Sequence, residues 1–90
     1  MFVYARLAEC YYWLKDYDKS LETLDTALGY QPSDYLLLNS KGYILMMKGR
    51  YQEAQEYLKA SLNIRPDYGV AKRNLIDCNK ILYPGQTNSL

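Results

Sequence analysis

The chain has 90 residues and a mass of 10.5 kDa, enough for one small core. Hydrophobic residues make up 49% and charged residues 23%, as in a globular domain, and a net charge of +1 supplies no field with which to hold nucleic acid or an anionic membrane. Histidine is absent, and the two cysteines, Cys10 and Cys78, stand far apart. That removes most zinc sites, histidine-activated nucleophiles and any disulfide framework, so the expectation is a protein with no metal, no cofactor and no catalytic site.

The opening stretch, Met1-Phe2-Val3-Tyr4-Ala5-Arg6, has no basic leader region, and Arg6 and Glu9 interrupt the apolar run before a signal sequence or membrane span is complete. Membrane insertion is therefore not expected, and the two distant cysteines fit a reducing, cytoplasmic setting. Val3, Leu7, Cys10, Tyr11 and Leu14 recur at helical steps and predict a first helix over about residues 2–14. Lys15-Asp16 breaks it, with Asp16 suited to cap a second helix over 17–30 that carries Tyr17, Leu21, Leu24 and Leu28. Pro32 closes this pair, because proline cannot continue a helix, and Ser33-Asp34 offers a cap for a third helix over 35–48. Gly49 suits a left-handed helix end, a fourth helix follows over 51–64, and Pro66 closes the second pair. Asp67 is positioned to cap a fifth helix over 69–83, which Pro84-Gly85 ends, and residues 84–90 read as a flexible polar tail.

Sliding the chain against itself by 34 positions aligns Tyr17 with Tyr51, Glu22 with Glu56, Leu24 with Leu58, Leu28 with Leu62 and Pro32 with Pro66. Small residues match in kind: Ala8 with Gly42, Ser20 with Ala54, and Ala27 with Ser61. These are the places where a helical hairpin needs two backbones to approach or a chain to stop. The first unit supplies Tyr4, Leu7, Ala8, Tyr11, Ser20, Leu24 and Pro32, and the second Leu38, Gly42, Leu45, Gly49, Tyr51, Ala54, Leu58 and Pro66. This pattern resembles the tetratricopeptide repeat, departing from it at Lys41, where leucine is expected and only the lysine stem can pack while its amine reaches water.

The resemblance implies an all-α helix-turn-helix solenoid, a right-handed superhelix of about five antiparallel helices. It divides into repeat one (residues 1–34), repeat two (35–68) and a capping helix (69–83). Leu75, Ile76, Cys78 and Leu82 of the cap are expected to turn inward, and Lys72, Arg73, Asn79 and Lys80 to face water, which makes the carboxyl end read as an array end. The amino end, apolar and without a capping residue, reads as an edge left by removed repeats or one that pairs with a second copy, and the sequence leaves both open. Cys10 and Cys78 read as small buried residues, and Tyr4, Tyr11, Tyr17 and Tyr51 as core.

The resemblance also implies a function: protein-protein interaction, with a peptide segment of another protein lying in a concave groove lined by the first helix of each hairpin. The family's groove positions carry over to Phe2, Ala5, Glu9, Tyr12 and Trp13, then Leu36, Asn39, Tyr43, Met46 and Met47, then Val70, Arg73, Asp77 and Lys80. An aromatic, thioether-rich lining of mixed charge suits an apolar or amphipathic peptide. Family members that grip chaperone carboxyl termini use a Lys/Asn/Arg clamp. Here the clamp positions hold Ala5, Glu9, Ser40, Val70 and Asn74, so an acidic, carboxylate-terminated tail is not the expected ligand. The alternative function is assembly: the edge formed by Phe2, Val3, Leu7 and Cys10 joins another copy in a homo-oligomer, or the chain is a piece of a longer array.

Overall fold

The computed structural model describes residues 2–85; within them the chain folds as five helices and no strand, α1 (Phe2–Trp13), α2 (Tyr17–Tyr30), α3 (Tyr35–Met47), α4 (Tyr51–Ile64) and α5 (Gly69–Leu82). α2 and α4 have the bounds the sequence suggests; α1, α3 and α5 each stop one residue sooner. The polar tail from residue 86 lies outside the described residues.

Each turn repeats at the spacing of 34. After α1, the amide of Lys15 donates to Tyr12 O and that of Asp16 to Tyr11 O; after α3, Gly49 donates to Met46 O and Arg50 to Leu45 O in the same pattern. Both are left-handed helix ends that satisfy carbonyls the helix leaves open. Gly49 adopts φ +79° without strain, whereas Lys15 is held at φ +61°. Asp16 accepts from Lys19 N, and Asp34 accepts from Leu36 N and Leu37 N, so both cap as their residue type suggests. Asp67 does not. Its carboxylate pairs with Arg65, and Tyr68, the register equivalent of Asp34, takes the cap position of α5 with its ring edge-on to Tyr35 at 5.0 Å.

The core runs through both hairpins: Ala8, Leu21, Leu24 and Ala27 from the first, Leu37, Ile44, Leu45, Met46, Ala54 and Leu58 from the second, and Leu75 and Cys78 from α5. Small residues set the helix spacing. A Cβ on Gly42 would lie 2.8 Å from Leu58 Cγ and 3.3 Å from the Ala54 carbonyl oxygen. In the first hairpin, Ser20 Oγ donates to the Ala8 carbonyl at 2.9 Å; in the second, Ser61 Oγ reaches the Tyr35 carbonyl at 2.8 Å. Each hydroxyl is buried with its one partner, which meets the requirement that buried polar groups be satisfied.

Hairpins stack through α2 on α3 and α4 on α5. Lys41 sits in the first seam with its side chain only 15% exposed, its ammonium donating to Asp25 and to the Tyr57 hydroxyl at 2.9 Å and lying 4.3 Å from the Tyr57 ring centre. Its amine thus finds a carboxylate and a phenol rather than open water. Burial alone would lower its pKa, but the Asp25 and Tyr57 contacts outweigh it and hold the ammonium above its ordinary value. Lys48 adds an ion pair to Asp18 across the same seam. In the second seam, Gln55 donates to Asn79 at 2.9 Å, so Asn79 is half-buried where the sequence suggested a water-facing residue. Tyr4, Tyr17 and Tyr51 pack against the core, while Tyr11 is half-buried beneath the Lys19 amine. Cys78 is buried, which pushes its thiol up, but Cys10 is exposed, since among the described residues no helix packs on that side of α1.

Candidate protein-interaction cleft

Because α1, α3 and α5 are the first helices of successive units, they lie side by side along one face, and two polar pairs tie them together. The Tyr12 and Tyr43 hydroxyls meet at 3.3 Å with ring centres 5.8 Å apart, joining α1 to α3. Asn74 Nδ2 donates to Asn39 Oδ1 at 3.0 Å, joining α5 to α3. Between these helices opens a cleft of about 390 Å³. That volume lies within the range of small-ligand and peptide-side-chain sites.

Its walls are Ala5, Glu9 and Tyr12 from α1, Asn39, Ser40 and Tyr43 from α3, and Val70 and Asn74 from α5; Ala8, Ser20, Leu24 and Ile44 form the floor. The floor is the repeat core itself, so the small residues that let each hairpin close also give the cleft its depth. The hydrogen bond to Tyr43, together with burial, holds the Tyr12 hydroxyl above its ordinary pKa. The mouth is therefore aromatic and hydroxyl-bearing, with Glu9 as the one charged side chain on the lining.

Of the groove positions carried over from the sequence, Ala5, Glu9, Tyr12, Asn39, Tyr43 and Val70 converge on this cleft. Trp13 is exposed beside it, its ring edge-on to Tyr12 at 5.1 Å. Leu36 faces a shallow hollow at the α2–α3 turn, and Met47, Arg73, Asp77 and Lys80 are exposed elsewhere on α3 and α5. Met46 requires a correction: it is buried in the core, one helical step past the groove stripe, and offers no surface to a ligand. The Phe2 side chain lies outside the described residues. Asn74 and Ser40 line the cleft but are missing from the carried-over groove positions; their signal lay in the clamp comparison, where both occupy clamp positions.

The second set of positions forms a different surface. Of these, Val3, Leu7 and Cys10 are exposed along the outer side of α1, and the Phe2 side chain lies outside the described residues. Their register equivalents on α3, Leu37, Lys41 and Ile44, and on α5, Ala71, Leu75 and Cys78, are covered by the preceding hairpin.

Two tetratricopeptide repeat family models match the chain, one over residues 3–34 and one over residues 35–68. The chain belongs to the tetratricopeptide repeat family. Comparison with curated proteins gave no match. Repeats of this family generally mediate protein–protein interaction and typically serve as non-catalytic scaffolds. Among the described residues no helix is long and apolar enough to cross a membrane, and no group of three or more His, Cys, Asp or Glu side chains is placed to hold a metal ion.

Proposed function

We propose that the cleft between α1, α3 and α5 binds a peptide segment of a partner protein, with Tyr12, Tyr43 and the neighbouring Trp13 as aromatic anchors. The observation that carries this reading is the convergence of two phenols, two carboxamides and one carboxylate on a single cleft about 390 Å³ in volume. Buried aromatic anchors dominate binding energy at such surfaces, so removing one is expected to cost about 2 kcal/mol, or roughly thirtyfold in affinity. Peptides selected by display on the wild-type domain are the probe. Tyr43→Ala and Trp13→Ala should each weaken their binding by about that factor while the thermal unfolding of Trp13→Ala is unchanged, since Trp13 is 73% exposed. Peptides bound equally well by both variants would overturn the assignment.

A second reading has its own support in the exposed α1 stripe. We propose that Val3, Leu7 and Cys10 pack against a second copy of the chain, because the equivalents Leu37 and Ile44 on α3 and Ala71, Leu75 and Cys78 on α5 are buried while Val3 is 74% exposed. The solution mass measured by light scattering across protein concentrations tests it. An oligomer that Val3→Glu disperses supports the edge, and a monomer at every concentration refutes it.

A further inference from the structure

The carboxamide pair in the cleft leaves a specific set of hydrogen-bonding atoms unspent. With Asn74 Nδ2 donating to Asn39 Oδ1, the remaining atoms are the Asn39 Nδ2 donor and the Asn74 Oδ1 acceptor. If both amides were rotated, the pair would still keep one donor and one acceptor, so the count does not depend on how nitrogen and oxygen are assigned. No buried side-chain polar atom among the described residues lacks a partner, so these two atoms keep some exposure to solvent, and both residues line the cleft.

One donor beside one acceptor is the complement of a single residue in an extended strand, whose own N–H and C=O point to the same side. A helical ligand has already committed those groups internally, so only an extended segment can offer them. Charge narrows the ligand further. Glu9 is the only ionised side chain on the lining, and it forms no ion pair among the described residues. The Tyr12 and Tyr43 rings beside it present apolar edges for an alkyl stem and π faces for a cation.

We propose that the cleft takes an extended peptide segment bearing a lysine or arginine, its backbone held by Asn39 and Asn74 and its cation by Glu9. This rests on the groove reading above and adds a ligand class to it.

The test uses acetylated, amidated peptides Gly-Ser-Leu-Ser-X-Ser-Leu-Ser-Gly with X as Arg, Gln or Glu, titrated into isotope-labelled protein at low salt. The expected result is movement of the Asn39 and Asn74 side-chain amide signals, with the Arg peptide bound at least about tenfold more tightly than the Glu peptide, since each tenfold corresponds to about 1.4 kcal/mol. Glu9→Gln should erase that preference and leave the amide shifts in place. Asn74→Ala should weaken all three peptides alike. Equal affinity for the three, or a preference that survives Glu9→Gln, overturns the cation assignment while leaving the groove reading standing. Tight binding with still amide signals overturns the backbone grip. No movement of any cleft signal with any of the peptides overturns the groove reading and this inference together.

Discussion

Adding one methyl group at Gly42 tests whether small residues set the spacing of the second hairpin. The new Cβ would sit 2.8 Å from Leu58 Cδ2 and Cγ and 3.3 Å from the Ala54 carbonyl oxygen. Carbon atoms rest at about 3.5–4.0 Å, so Leu58 or the whole of α4 must yield by several tenths of an ångström. Leu58 has no exposed surface, and the Ala54 oxygen belongs to the helix backbone. Two effects oppose each other. Alanine favours a helix interior over glycine by about 1 kcal/mol, whereas overpacking a filled core costs about 1–3 kcal/mol. The balance expected for Gly42→Ala is a loss of about 1 kcal/mol, a fall in Tm of about 4–8 °C for a domain of this size. A double-mutant cycle isolates the clash. Leu58→Ala alone should cost about 2–5 kcal/mol, but in that background the 2.8 Å contacts are gone, only the Ala54 oxygen at 3.3 Å remains near the methyl, and Gly42→Ala should become stabilising by up to about 1 kcal/mol. Urea unfolding of all four proteins in one stabilising osmolyte provides the measurement. If Gly42→Ala stabilises the protein by the same amount in both backgrounds, the close approach does not govern packing and the argument is wrong.

Ser61→Ala removes a buried hydroxyl that donates to Tyr35 O, at a position whose counterpart in the first repeat is the fully buried Ala27. Alanine fits there, so denaturation should register only the lost hydrogen bond, about 0.5–1.5 kcal/mol, and a loss beyond about 3 kcal/mol would mean the site is not equivalent to Ala27. Lys15→Gly should raise stability by roughly 0.5–1 kcal/mol by relieving the left-handed backbone that Gly49 adopts freely, and a drop in Tm would contradict the turn geometry. Lys41 has a raised pKa in the folded chain, so its contribution is present below its unfolded value near 10.5 and is lost as pH rises through the folded value. The stability difference between wild type and Lys41→Met should hold steady through neutral pH and shift in favour of the variant above about pH 10.5; a difference flat across that range would show that the Asp25 and Tyr57 contacts do not stabilise the ammonium.

Local sequence signals set the elements and their order. Apolar residues at helical spacing, Pro32 and Pro66 as stops, and Asp16, Asp34 and Gly49 at ends act within a few residues of themselves, and the recurrence of 34 imposes the same hairpin twice. Stacking equivalent hairpins then leaves little freedom in where the small residues face, so Ala8, Gly42, Ser20 and Ala54 were legible as contact points. The tertiary structure decided what depends on which neighbour arrives. Leu7, Lys41 and Leu75 occupy the same register position, yet they are exposed, ion-paired and buried, because what lies outside each helix differs. Cys10 and Cys78 diverge for the same reason. Met46 falls into the core because one step around a helix, about 100°, separates a groove residue from a buried one, and periodicity alone does not fix the rotation of the helix to that accuracy. The pairing of Asn39 with Asn74 was invisible in the chain because it joins helices two elements apart. Only the stacking of α3 beside α5 brings those carboxamides within hydrogen-bonding distance on the wall of the cleft.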